Sequence, residues 1–216
     1  MSELPMFPLG TVLFPSVYLP LHAFEPRYQA LVRHCLDGDR QFGVVLIERG
    51  SEVGGGDLRA MVGTVAHILE AVEMDGGRWA LGTVGVRRVR VTGWLDDDPY
   101  PRAEVEDWPD QPAPHRAEQL PLLEGAGLSD RLDEVTGRLR RVLALSAEMG
   151  DRVADSTLEL ADDVELASFQ MAAVGPFGPA DQQQLLATAS TAARLEGLAT
   201  LLAEAEDDLT RRLELG

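Results

Sequence analysis

Five prolines within residues 4–28 restrict how this chain can begin. Proline fixes φ, lacks a backbone N–H and favours extended geometry in the preceding residue, so one long helix cannot form here. Because the residues between the prolines are mostly apolar, the stretch predicts several short extended segments that pack against a core. The five are Pro5, Pro8, Pro15, Pro20 and Pro26.

The pattern becomes helical at Pro26, since proline suits the first turn of a helix. Apolar side chains then recur at helical spacing until Gly38, which predicts one amphipathic helix facing a sheet. Cys35 lies on this apolar stripe and is the only cysteine, so an internal disulfide is excluded and a small core residue is indicated. The stripe consists of Tyr28, Leu31, Val32, Cys35 and Leu36.

Strand patterns occupy the rest of the first half. Residues 42–47 form a continuous apolar run, which is typical of a strand buried on both faces. The Asp-Gly-Gly sequence at 75–77 predicts a hairpin turn, and Gly63 predicts a bulge or a close approach of another backbone. Further strands are predicted over 61–74, 79–84, 86–95 and 102–108. Val89 and Val91 are predicted to share one face of their strand, and Ala103 and Val105 are predicted to point inward.

The second half is predicted to be helical. A proline-rich stretch over 109–128 has no hydrophobic period and is interpreted as a linker. Beyond it, apolar residues at helical spacing predict four helices, one of which opens with Asp162 and Glu165 as a capping box. We therefore expect an α+β protein with domains over 1–108 and 129–216.

Composition excludes several functions. The net charge of −17 disfavours nucleic acid as a partner, because sequence-independent affinity for a polyanion needs basic groups. All 19 basic residues are arginine. Without lysine the chain cannot contain a Walker A loop, a Schiff-base amine or a Ser–Lys dyad. The four histidines are scattered and no G-x-S-x-G motif is present, so no metal, cofactor or catalytic site is expected.

The chain carries no sign of a membrane segment. No apolar run approaches the roughly 18 residues that span a bilayer, and the N-terminus lacks the layout of a signal peptide. A cytoplasmic location without membrane contact is therefore expected.

Four segments in the first half together resemble a known family. They are F-P-L-G-T-V-L-F-P at 7–15, L-P-L-H-A-F-E-P-R-Y at 19–28, V-G-T-V-A-H-I at 62–68 and G-V-R-R-V-R-V at 85–91. In order and spacing they resemble the N-terminal substrate-binding domain of Lon proteases, and most of all the stand-alone bacterial proteins made of that domain. The resemblance implies a PUA-like β-barrel with one embedded helix, followed by a helical bundle.

The resemblance also implies a function. Lon N-terminal domains engage unfolded or tagged polypeptides and have no catalytic residues, so a non-enzymatic binding module is expected, with a separate ATP-dependent protease as a candidate partner. The residues that the resemblance assigns to polypeptide binding are Phe14, Tyr18, Leu19, Phe24, Glu25, Arg27 and Tyr28.

Three alternatives stay open at this point. The apolar side chains of the first segment can all belong to the core instead of forming a contact patch. PUA-like barrels elsewhere bind RNA, which here would use Arg87, Arg88 and Arg90. A small-molecule binder is neither supported nor excluded by the sequence, and neither is any oligomeric state.

Overall fold

A computed structural model describes residues 2–50, 56–111 and 122–215, with side chains from 127 to 214 in the last range. The chain divides into two compact units, Met1–Pro109 and Asp110–Gly216. The predicted domain limits stay a prediction, but the helices of the second unit begin earlier than residue 129.

The described part of the first unit contains six strands and one α-helix. They follow one another as β1 (Ser2–Leu9), β2 (Tyr18–Ala23), α1 (Pro26–Asp37), β3 (Gln41–Arg49), β4 (Leu58–Met74), β5 (Arg78–Trp94) and β6 (Arg102–Asp107). A 3-10 turn over Asp75–Gly77 connects β4 to β5, where the hairpin was expected. The two predicted strands over 79–84 and 86–95 are one continuous strand.

Strand pairing closes five of the strands into a ring. β5 pairs with β4 and with β6, and the order β4-β3-β1-β6 completes the circuit. The pair β1–β3 is parallel and the other pairs are antiparallel. The first half of β5 also pairs with β2. The α+β class is confirmed, and the ring of pairings is what a barrel requires.

Two apolar cores lie on opposite sides of the barrel wall. The inner core contains Ala103 and Val105, which were predicted to point inward; its members are Leu4, Met6, Val45, Val65, Val89, Val91, Ala103 and Val105. The outer core lies between the wall and α1, and it contains the buried side of the predicted stripe, namely Tyr28, Leu31, Val32 and Cys35. Burial raises the pKa of the Cys35 thiol to about 12, as suits a core cysteine and not a nucleophile.

Gly63 allows two strands to approach closely, as predicted. A Cβ at this position would lie 2.2 Å from the carbonyl oxygen of Val44 and 2.6 Å from a methyl group of Val45. A backbone carbonyl in a paired strand cannot move aside, so Gly63→Ala should lower the free energy of unfolding by about 1–3 kcal/mol. Thermal denaturation would measure this, and Gly93→Ala, where the nearest atom is 3.8 Å away, is the matched control. Equal melting temperatures for the two variants would contradict the prediction.

The second unit is helical. Its described helices are α2 (Leu122–Glu148), α3 (Val164–Val174), α4 (Pro179–Leu186) and α5 (Thr191–Leu215). The helix α2 begins inside the predicted linker, because Gly125 and Gly127 lower helix propensity without ending a helix. Residues 112–121 of that linker lie outside the described residues. The cap of α3 is also one residue later than predicted: Asp163, not Asp162, accepts a hydrogen bond from the Leu166 amide.

A buried arginine organises the start of α5. The side chain of Arg194 is fully buried, and its Nη2 atom lies 2.6 Å from Oδ2 of Asp110. Its Nε donates to the Ser168 hydroxyl at 2.8 Å, and the guanidinium carbon lies 3.6 Å from the centre of the Phe169 ring. Thr191 donates to the same carboxylate at 2.5 Å. Asp110 therefore ties the first residues of this unit to α5 and supplies the charge that a buried guanidinium needs.

Candidate functional site

The seven residues assigned to polypeptide binding do not form one surface. Phe14 is 0% exposed and Tyr28 is 4% exposed, whereas Tyr18 and Phe24 are 59% and 56% exposed. Leu19, Glu25 and Arg27 are half-buried.

Phe14 is a core residue, which corrects its assignment as a contact residue. The loop before β2 is fastened over the barrel wall by a hydrogen bond from the Thr64 hydroxyl to the Leu13 carbonyl at 2.6 Å and another from the Ser16 amide to the Gly85 carbonyl at 2.8 Å. Gly85 has no side chain to hold this loop away. Phe14 is consequently enclosed and offers no surface to a partner.

Tyr28 is likewise structural. Its ring stacks on Phe7 with centroids 4.0 Å apart, and the Arg27 guanidinium carbon lies 4.6 Å from the centre of the Tyr28 ring. Arg27 is held by Glu25, with Nε 3.2 Å from Oε2. Burial raises the pKa of Tyr28 to about 12. These three side chains secure the first turn of α1 to the outer core, and the assignment of Tyr28 as a contact residue is corrected as well.

The arginine cluster on β5 is engaged by local groups. Arg87 donates to Asp107 at 2.8 Å. Arg88 is buried, and the Arg90 guanidinium carbon lies 3.1 Å from the centre of the Trp108 ring. A phosphate backbone needs cationic groups that face solvent. The arrangement therefore favours local ion pairing and stacking over RNA contact.

A solvent-facing sheet surface emerges instead from β2, β5 and β4. Leu21 pairs with Leu81, and Leu81 pairs with Ala71, so these three side chains share the face that packs on the outer core. Side chains alternate between faces along a strand. The next row, made by His22, Ala80 and Val72, therefore lies on the opposite side. We call this opposite side the open face.

The open face is apolar for a surface exposed to water. Its exposed apolar members are Tyr18, Pro20, Leu69, Val72 and Met74, of which Leu69 lies in a bulge of β4. Val72 is 60% exposed, as much as Tyr18. Glu70 and Arg78 bring one charge of each sign. Contiguous exposed apolar side chains on a folded domain typically mark a binding surface.

Gly82 shapes the middle of the open face. A Cβ built on Gly82 would lie 2.8 Å from the Tyr18 hydroxyl oxygen, so the tyrosine ring extends across the glycine. A side chain on Gly82 would lie between the Tyr18 ring and the side chains of β4. Leu69, Val72 and Met74 were not predicted from the sequence to lie on an exposed apolar surface. The alternation along β4 indicated which side chains share a face of the strand. Which of the two faces is exposed depends on the position of α1.

Other kinds of site find no support in the part of the chain that the structure describes. No group of three or more His, Cys, Asp or Glu side chains there is arranged to hold a metal ion. None of the described helices has the length and apolar character needed to cross a bilayer.

Comparison with known proteins shows which family the chain resembles. Residues 3–204 match the family model of the ATP-dependent protease La (LON) substrate-binding domain. The chain is 29% identical over 211 residues to Lon protease 2 of Herpetosiphon aurantiacus, covering 96% of this chain and 24% of that protein. It is 35% identical over 107 residues to the Lon protease of Cytophaga hutchinsonii, covering 48% of this chain and 13% of that protein. The chain thus spans about a quarter or less of these relatives.

Solved structures show the same fold. A Lon N-terminal domain protein from Xanthomonas campestris superposes with a TM-score of 0.61 at 26% identity, covering 93% of this chain and 98% of that one. The N-terminal domain of the Mycobacterium avium complex Lon protease superposes with a TM-score of 0.64 at 17% identity, covering 94% and 98%. The family match extends over both units and is confined to the non-catalytic substrate-binding part of Lon. This chain therefore belongs to the LON substrate-binding domain family.

Proposed function

We propose that this protein is a non-catalytic module that binds unfolded or tagged polypeptides and delivers them to, or withholds them from, a separate ATP-dependent protease. The open face carries this proposal, because it presents Tyr18, Val72 and Met74 to solvent on paired strands. Family membership supports the same class of ligand.

The size of the open face suits weak and unselective binding. Covering an apolar side chain of this kind contributes about 1.5–3 kcal/mol, and two or three such contacts are largely offset by the cost of association. The side-chain contacts by themselves therefore give weak binding. Such an affinity allows many different unfolded chains to be sampled and released.

The direct test is fluorescence anisotropy of a labelled, permanently unfolded polypeptide titrated with the purified protein at physiological salt. We expect saturable binding in the micromolar range. Labelled single-stranded RNA is the parallel probe, and we expect it to remain unbound because Arg87 and Arg90 are engaged by local groups. Binding of RNA alone, with an affinity that falls steeply as salt is added, would overturn the proposal.

The regulatory role has its own measurement. Added to an ATP-dependent protease that degrades the same polypeptide, an adaptor should accelerate degradation, whereas a competitor should slow it. No effect on degradation at saturating concentrations would remove the protease from the proposal while leaving the binding function.

A further inference from the structure

The strand β2 has a free edge beside the open face. In the sheet order it is terminal, and among the described residues only β5 pairs with it. Tyr18, Pro20 and His22 are exposed. An edge strand of this kind offers unpaired backbone groups to another extended chain.

The hydrogen bonds identify which residues face that edge. The Gly85 amide donates to the Val17 carbonyl at 3.0 Å, so this pair belongs to the hydrogen-bonded set. Hydrogen-bonded and non-hydrogen-bonded pairs alternate along an antiparallel ladder. The register between β2 and β5 is unbroken from Tyr18 to Ala23. Every second residue after Val17 therefore directs its backbone groups to β5, namely Leu19, Leu21 and Ala23. Those of Tyr18, Pro20 and His22 consequently point to the free edge.

The position of Pro20 is consistent with backbone groups that point to the free edge. Pro20 has no N–H, and within sheets proline is confined to positions where that donor would face away from the neighbouring strand. The edge thus presents two amides, from Tyr18 and His22, and three carbonyls. An incoming strand can form up to five backbone hydrogen bonds with them.

We propose that the unfolded polypeptide binds as an added antiparallel β-strand along the free edge of β2; this inference rests on the proposed function. Residues of the added strand that pair with Tyr18, Pro20 and His22 place their side chains on the same face as those residues, which is the open face. The ligand is therefore an extended segment with apolar residues at every second position. Backbone pairing provides affinity without regard to sequence, and the open face selects apolar side chains.

Charge decides between two possible occupants of the edge. Two copies of this chain would repel each other, because each has a net charge of −17. An unfolded segment that is neutral or basic meets no such repulsion. The segment is therefore the occupant, and acidic sequences are expected to bind less well.

The test uses two substitutions at one position. His22→Pro removes the edge amide and places a ring carbon where the added strand must lie, without breaking the β2–β5 ladder. His22→Ala removes the side chain and keeps the amide. In the anisotropy titration we expect His22→Pro to bind at least about tenfold more weakly than His22→Ala, because the two variants lack the same side chain and only His22→Pro also lacks the edge amide. Thermal denaturation checks that both variants fold.

A second measurement leaves the protein unchanged. A synthetic peptide of alternating apolar and polar residues is N-methylated either at the apolar residues, whose amides face β2, or at the polar residues, whose amides face away. We expect only the first peptide to lose binding. This distinguishes strand addition from side-chain contact even if His22→Pro fails to fold.

The outcomes separate the two proposals. If the unmodified protein does not bind the unfolded polypeptide, the proposed function fails. If it binds and both N-methylated peptides bind equally well, strand addition is wrong and the proposed function stands. A concentration-dependent dimer in sedimentation that His22→Pro dissociates would show that a second copy occupies the edge, and would overturn the assignment of the segment.

Discussion

Replacing Asp110 by alanine should destabilise the helical unit by about 3–5 kcal/mol. The Arg194 side chain is fully buried, and Asp110 accepts hydrogen bonds from it at 2.6 and 3.2 Å. Removing the carboxylate leaves a guanidinium in a medium that solvates it poorly. Chemical denaturation followed by circular dichroism would measure the change in the free energy of unfolding, since the helical signal comes mostly from this unit.

Two further variants make the prediction specific. Asp208→Ala removes the exposed partner of Arg212, whose Nη1 lies 3.9 Å away, and should change stability by no more than about 1 kcal/mol. The double variant Asp110→Ala/Arg194→Met removes the charge together with its partner and should recover part of the loss. Equal effects of Asp110→Ala and Asp208→Ala would contradict a buried ion pair at the start of α5.

The second large effect concerns binding. Tyr18→Ser combined with Val72→Ser should weaken binding of an unfolded polypeptide at least about tenfold, because two exposed apolar contacts on opposite sides of β5 are lost together. Both side chains are more than half exposed, so the melting temperature should barely change. Anisotropy and thermal denaturation of the same preparation would measure the two quantities.

A matched control for this variant lies on the same strand as Val72. Leu58 is 56% exposed and pairs with Arg49, at the end of β4 remote from the open face. Leu58→Ser removes a comparable exposed apolar side chain and should leave polypeptide binding unchanged. An equal loss of affinity in the control would show that general surface hydrophobicity, and not the open face, captures the polypeptide.

Much of the fold followed from local patterns. The prolines of the first segment predicted short extended pieces, and Pro5 and Pro8 lie in β1 while Pro20 lies in β2. Pro26 begins α1 as predicted, with the Cys35 stripe buried. These predictions succeeded because proline geometry and hydrophobic periodicity act within a few residues, whatever the rest of the chain does.

Which aromatic side chains of the first segment are exposed did not follow from the sequence. Tyr18 and Phe14 were both assigned to polypeptide binding, but Tyr18 is exposed whereas Phe14, four residues earlier and equally aromatic, is buried in a loop that is fastened to Thr64 and Gly85. Residues about 50 or more positions apart in the sequence decide this burial. No local pattern distinguishes two aromatic side chains when a distant strand covers one of them.

The sequence by itself determined the class of this protein: a mixed α+β chain of the LON substrate-binding domain family, with no lysine for catalysis and one core cysteine. The tertiary structure decided which apolar side chains are exposed. Alternation along β4 places Val72 and Met74 on one face of the strand but does not tell whether that face is buried. The packing of α1 on the other side of the sheet leaves this face open. Exposure is a property of all the elements packed around a strand, so it arises only when the chain is folded.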